Sequence, residues 1–333
     1  VPNPHDQLFR ATFREPHRAA GLVRALLPPA VVAQLDLPQM TLRPGSFIEP
    51  ALRDQITDLL YTVPTLNDGP LLVYLLLEHQ RRADRWMPWR MLRYQVNIWT
   101  DWRQKHPTAD LPVIIPLVVY NGARPWTASR QFSTLVAFPS GQREALLPHT
   151  PRFECLIDDL TTVGDPALHR RALDAAATLA LIMLKHADDD LLVVFERVAH
   201  LIGAVAHAPG GFDAAVRVVR YALLVKQSLN IEDIGAVLAP KLGTTGEEIV
   251  MTAGQRLIEQ GHIAGHRIGR TEGRTEGRTE GQRRALHAVI HARFGTPDAL
   301  IEAQLAPLDG PALETCLLQS LQAESFEALF AAS

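Results

Sequence analysis

The sequence predicts an α/β domain followed by an α-helical region. Three observations carry that reading. Two apolar runs of strand length, 56–63 and 71–77, meet across the turn residues Asn67-Asp68-Gly69. A third run, 113–120, ends at Asn121-Gly122, and a stretch of helical periodicity over 84–105 separates it from the second. From about residue 150 the apolar residues recur at helical spacing instead.

The first run, Ile56-Thr57-Asp58-Leu59-Leu60-Tyr61-Thr62-Val63, is rich in β-branched and aromatic residues and reads as one strand of a hairpin. Pro64 makes the connection longer than a two-residue turn. The second run has no polar group except the hydroxyl of Tyr74, as in a strand covered on both faces. It ends abruptly at Glu78-His79-Gln80. Residues i and i+2 of a strand share a face, so Glu78 and Gln80 project together and His79 points away. With the hairpin centred near Asp68, Asp58 falls opposite Glu78, and cross-strand partners hold their Cβ atoms within about 5.5 Å. Two carboxylates at that distance, with an amide beside them, suit a hard divalent cation such as Mg²⁺ and the cleavage of a phosphodiester. A strand that simply ends in polar residues at a sheet edge is the competing reading.

Along 84–105, Trp89, Leu92, Val96 and Trp99 form the predicted core stripe, with Pro88 tolerated in the first turn. Arg90, Arg93 and Asn97 lie on another face, within reach of a phosphate or a carboxylate; a solvated surface is the alternative. Pro116 removes a ladder donor and predicts a bulge or strand end, and Trp126 reads as a packing residue. Helices are predicted over 170–185, 191–207 and 214–229, broken at Ala208-Pro209-Gly210-Gly211. This layer shows no catalytic constellation in sequence. Beyond it Gly261, Gly265, Gly269, Gly273, Gly277 and Gly281 recur every four residues, and three copies of Gly-Arg-Thr-Glu run from Gly269 to Glu280. Each glycine costs about 1 kcal/mol in a helix interior. The segment is therefore either a helix that pairs with a partner, in a homo-oligomer through 261–281, or a tether. Final helices are expected around 283–293 and 312–330. His262 with His266, and His287 with His291, have the i, i+4 spacing of zinc ligands but no third ligand in view, so surface histidines are the simpler reading.

The chain has 333 residues, 47% of them apolar and 21% charged, which is ordinary globular material. No apolar stretch approaches the roughly 20 residues that span a bilayer, and the expectation is a cytoplasmic protein without a membrane partner. Cys155 and Cys316 read as buried thiols of a reducing compartment, with a lone disulfide as the alternative. The net charge of −3 divides unevenly: residues 1–130 hold 15 basic and 11 acidic side chains, +4, leaving −7 for the rest. Arginine outnumbers lysine 29 to 4, which suits bidentate phosphate contacts. No P-loop, dinucleotide fingerprint or serine elbow is present, which disfavours nucleotide-driven and acyl-transfer chemistry.

Five segments in order, His5-Asp6-Gln7-Leu8-Phe9-Arg10, Ile56-Thr57-Asp58-Leu59-Leu60, Leu77-Glu78-His79-Gln80, Met87-Pro88-Trp89-Arg90-Met91-Leu92-Arg93-Tyr94 and Ile115-Pro116-Leu117-Val118-Val119-Tyr120-Asn121-Gly122, resemble the motifs of the Rpn family. These are recombination-promoting nucleases, often labelled transposases, with a PD-(D/E)xK core. The resemblance covers roughly the first 130 residues. It implies a restriction-endonuclease-like mixed sheet flanked by helices, with Asp58 as the aspartate of the first element and Glu78 as the acid of the second. Gln80 stands where most relatives of the superfold have lysine, and Asp6 is a candidate third carboxylate or a helix-start acid. Arg81 departs from the small serine usual at that place. The implied organisation is a nuclease-like domain over 1–140, a helical region over 141–255, the repeat helix or linker over 256–284 and a helical segment over 285–333. The implied function is a Mg²⁺-dependent DNA endonuclease, with Mn²⁺ as the substitute ion and DNA as partner. Asp58 and Glu78 would hold the metal, Gln80 would orient water, and Arg90 and Arg93 would grip the backbone. The alternative is an inactive DNA-binding or oligomerising protein on the same scaffold, to which Gln80 and Arg81 leave room.

Overall fold

Two apolar faces of one mixed sheet organise the first part of the chain. The computed structural model describes residues 3–43, 59–66, 72–171 and 173–330, with the backbone alone at 72–79, 264, 267 and 268. Its contacts divide the chain into units Val1–Gln255 and Arg256–Ser333.

In the first unit, helices α1 (Pro4–Phe13) and α2 (Pro16–Leu26) precede the sheet. Each has proline in its first turn, where the missing N–H would have no helical partner. The strands are β1 (Thr41–Arg43), β2 (Leu59–Pro64), β3 (Leu72–Gln80), β4 (Val113–Tyr120) and β5 (Leu156–Asp159), in that spatial order. The first three form an antiparallel meander. Helix α3 (Met87–Lys105) then carries the chain over to β4, which lies parallel to β3, and β5 lies parallel to β4. This is the mixed α/β architecture expected, followed by helices α4 (Ala175–Lys185), α5 (Leu191–His207), α6 (Phe212–Val225) and α7 (Ile231–Leu242).

Alternation along the strands sorts their side chains between two layers. Leu59, Tyr61, Val63, Leu117 and Val119 join α1, α2 and the helices after β5 in the main core. Leu60, Ile114 and Val118 pack instead on Met87, Met91, Tyr94 and Ile98 of α3. Helix α4 is apolar on every side and buried from Ala176 to Leu184, as a helix surrounded by others must be. The Tyr61 hydroxyl donates to the Phe13 carbonyl, tying β2 to the end of α1, and burial pushes the phenol well above its usual range.

Three expectations need correction. Trp89 and Val96 are 47% and 48% exposed, so the buried face of α3 is the one through Met87, Met91, Tyr94 and Ile98. Both stripes are apolar, so periodicity alone does not choose between them, and the stripe through Met91 and Ile98 is the one that meets Leu60, Ile114 and Val118 of the sheet. Pro116 stands inside β4, paired with Leu76, because β5 begins to pair only at Leu117 and no second ladder asks for its donor. The region expected to be wholly helical begins with β5, whose four residues are too few for a periodic signal.

Asp174 caps α4 by accepting from the Ala177 N–H at 2.7 Å, and it also holds Arg18 Nε at 2.8 Å and His17 Nε2 at 3.2 Å. Burial opposes its ionisation, yet Arg18, Ala177 and His17 together outweigh burial and hold the carboxyl below its ordinary 3.8. Asp165 behaves alike: burial is outweighed by Lys185 at 2.5 Å and His186 at 2.8 Å. A folded pKa below the unfolded one adds stability that is complete above the unfolded value and is lost as pH falls through the folded value. The urea midpoint should therefore decline between roughly pH 5 and pH 2, and Asp174→Asn should flatten part of that decline. A midpoint whose acid limb is identical in wild type and Asp174→Asn would contradict this account.

The second unit begins within α8 (Thr244–Phe294), and the Gly-Arg-Thr-Glu copies are helical within it. A Cβ at any of Gly261, Gly265, Gly269, Gly273, Gly277 or Gly281 would meet nothing within 4 Å. These glycines thus answer no packing demand among the described residues. Leu286 and Ile290 of α8 form a small core with Ile301 and Leu305 of α9 (Asp298–Leu305) and Leu313 and Cys316 of α10 (Gly310–Ser320). His287 and His291 both approach Asp298, at 3.5 and 3.3 Å. Cys155 and Cys316 are buried thiols, not joined in a disulfide. No described helix is long and apolar enough to cross a membrane.

Candidate functional site

Of the polar residues singled out from sequence, Gln80 and the backbone of position 78 lie at the end of β3, beside the start of β2 and the ends of β4 and β5. The β2–β3 ladder pairs Leu59 with Leu77 and Leu60 with Leu76. That is the register on which the argument for an Asp58–Glu78 pair rests. Asp58 itself lies outside the described residues, as does the side chain of Glu78. Along the parallel ladder, position 78 pairs with Val118 and position 80 with Tyr120. Gln80 is half-buried, and its carbonyl accepts from the Asn121 N–H at 3.0 Å.

The backbone at this end is fixed by its neighbours. Arg81 Nη2 donates to both carboxylate oxygens of Asp188, at 2.8 and 3.0 Å, and Nη1 donates to the Asn121 carbonyl at 2.9 Å. Asn121 is buried and gives its amide to the Leu184 carbonyl at 2.7 Å, satisfying an acceptor in the last turn of α4. Arg81, the departure from serine, is thus a clamp between the end of β3 and the segment after α4. Gly122 is required by close approach: a Cβ there would stand 2.0 Å from the Tyr120 hydroxyl and 2.8 Å from the Arg81 carbonyl. The Tyr120 hydroxyl donates to the Arg124 carbonyl at 2.7 Å, and Trp126 packs edge-on against Tyr120, as a packing residue.

Arg90 and Arg93 are half-buried on α3, and Arg90 Nη1 reaches Asp84 at 3.5 Å. Asp6 is the acid of the first turn of α1, a place that favours negative charge. A group of arginines lies elsewhere. A cleft of about 750 Å³ opens between α1 and α6, with Leu42, Arg43 and Leu59 at its sheet end. Helix α1 and its C-cap residue line it with Gln7, Arg10, Ala11 and Arg14, and α6 with Arg217, Arg220, Tyr221 and Leu224. Each set follows i, i+3, i+4, i+7, one face of a helix. Among the described lining residues there are five arginines and no acid. The His5 ring Nδ1 lies 2.8 Å from the Tyr221 hydroxyl and links the two walls.

Sequence reading found nothing functional in the helical layer and did not single out Arg217 and Arg220, which line this cleft. The available signal was their i, i+3 spacing on the face of α6 opposite Ala215, Val218, Val219 and Ala222. Nothing local tied that face to α1, two hundred residues away. Among the described residues no group of three or more His, Cys, Asp and Glu side chains could hold a metal ion.

A helix, an antiparallel meander, a crossover helix and a parallel strand define a mixed α/β protein. The family described as "Putative transposase, YhgA-like" matches residues 3–209, and the chain belongs to this family, that of the Rpn proteins. It is 30% identical over 205 residues to the recombination-promoting nuclease RpnA of Escherichia coli strain K12, covering 60% of this chain and 66% of RpnA. Identity to the recombination-promoting nuclease RpnD of Escherichia coli O157:H7 is 29% over 202 residues, covering 60% and 74%. A third relative, RpnE of strain K12, is named an inactive recombination-promoting nuclease-like protein and is 31% identical over 206 residues, covering 60% and 64%. The chain thus spans about two thirds of the length of these relatives. Nothing among the solved structures matches it.

Proposed function

We propose that this chain is a metal-dependent DNA endonuclease with a PD-(D/E)xK core. The observation that carries the reading is the Leu59–Leu77 register, taken with membership of a family whose relatives include named nucleases. In it Asp58 and Glu78 hold Mg²⁺, for which an all-oxygen donor set is the right chemistry. Mn²⁺ is the expected substitute. The ion, when bound, supplies charge stabilisation at the scissile phosphate and acidifies a water.

The chain's own groups do the rest. Gln80 accepts from the attacking water through its amide oxygen and directs it, while bearing no positive charge of the kind a lysine would bring. The Arg81 clamp holds the strand end that carries both residues. Arg90 and Arg93 grip backbone phosphates on the α3 side. Such contacts read charge and shape, so binding should weaken with salt and show little base preference.

The second reading, a DNA-binding protein that does not cut, is favoured by one finding: RpnE, as similar to this chain as RpnA is, is named inactive. Supercoiled plasmid incubated with the purified chain in Mg²⁺, Mn²⁺ or Ca²⁺ separates the two. Nicking in Mg²⁺ and Mn²⁺ with none in Ca²⁺ is expected. Retarded but intact plasmid in all three ions would establish the second reading.

A further inference from the structure

The cleft between α1 and α6 lies on the main-core side of β2, whereas Val118, the ladder partner of position 78, packs on the α3 side. It is therefore a feature additional to the proposed cutting site. Arginines stand on both walls: Arg10 of α1 and its C-cap residue Arg14 are exposed, and Arg217 and Arg220 are half-buried on α6. Both walls thus present guanidinium groups to one concavity. Guanidinium groups are the side chains best matched to phosphate oxygens, which they can meet with two parallel hydrogen bonds. Because the charge repeats along both helices, the cleft suits a polymer whose own charge repeats, more than a lone phosphate. Tyr221 is buried, with its hydroxyl against His5, and offers no open ring on which a base could stack.

We propose that this cleft holds a stretch of DNA phosphate backbone away from the bond that is cut, with Arg217 and Arg220 as phosphate-binding groups supplied by the helical layer. The proposal rests on the reading of the chain as a protein that acts on DNA. It gives the helical layer a part in substrate binding. It also predicts that binding and cutting can be separated, since the residues in the cleft do no chemistry.

The test is binding of a fluorescent DNA duplex to the full chain in Ca²⁺, with the salt concentration varied. Arg217→Ala/Arg220→Ala should lower affinity on the order of tenfold and reduce the slope of log K against log salt by about 2, since each phosphate that is no longer neutralised removes about 0.9 from it. The charge-matched control Arg152→Ala/Arg170→Ala, on exposed positions outside the cleft, should leave the slope near that of wild type. Arg217→Lys/Arg220→Lys should restore most of the slope, which a merely structural role would not produce, and circular dichroism should show all variants folded. An unchanged slope in the α6 variant, or an equal loss in the control, would overturn the proposal. Wild type that binds but never cuts would end the nuclease reading and leave this one standing; wild type that does not bind would end both.

Discussion

Glu78→Ala and Asp58→Ala are each expected to abolish Mg²⁺-dependent plasmid nicking, a fall of at least about a hundredfold in rate, the scale of losing one preorganised electrostatic group. The reason for so large an effect is that two carboxylates share one ion. With one removed, the remaining single charge binds a weakly dehydrating cation poorly, and raising Mg²⁺ should recover only part of the rate. Gln80→Ala should be milder, because an amide that orients water contributes geometry and no charge. DNA binding in Ca²⁺ should fall little in Gln80→Ala and in the arginine-cleft control. Circular dichroism and thermal midpoints near those of wild type are part of the expected result, since a misfolded variant would lose activity for an uninteresting reason. Full nicking activity in both folded acid variants would falsify the assignment.

Strands β2, β3 and β4 and their order were legible because each signal is local, whereas the three-residue β1 gave none. An apolar run bounded by turn residues is visible without knowing what covers it, and the hairpin register followed from the position of its turn. Faces were harder. On α3 the stripe through Trp89 and Val96 and the stripe through Met91 and Ile98 are both apolar, and only the sheet decides which is buried. Strand β5 escaped because Leu156-Ile157-Asp158-Asp159 is held in place by β4 on one side and by the partners of its two acids. Neither is visible in a four-residue window. The arginine cleft was the least legible feature, since Arg10 and Arg217 belong to one surface only after α1 has packed on α6. What sequence could supply for the candidate site was chemistry and spacing; what it could not supply was the second wall.

The largest stability effect is expected from Asp158→Ala. Asp158, next to last in β5, is 4% exposed, and Arg171 grips it with two hydrogen bonds of 2.7 Å, Nη1 to Oδ2 and Nη2 to Oδ1. Both side chains are largely withdrawn from water, at 3% and 12% exposure, so removing the acid strands a buried guanidinium. Breaking a buried pair in this way costs about 3–5 kcal/mol, a large part of the roughly 5–15 kcal/mol that holds a domain together. All five tryptophans lie in the first unit, so their fluorescence in a urea titration reports on the unit that contains the pair. A shift worth less than about 1 kcal/mol would show that Arg171 finds water or another acceptor, and that the pair is a surface contact in its energetics. The companion variant Asp158→Leu/Arg171→Met separates strength from specificity. Hydrophobic replacement of a buried ion pair is often neutral or stabilising, so this variant should recover most of the stability lost in Asp158→Ala. If it does so while plasmid nicking falls, the pair's contribution is to hold the end of β5 in register beside β4. The strand ends around Asn121 would then depend on that register more than on the energy of the pair.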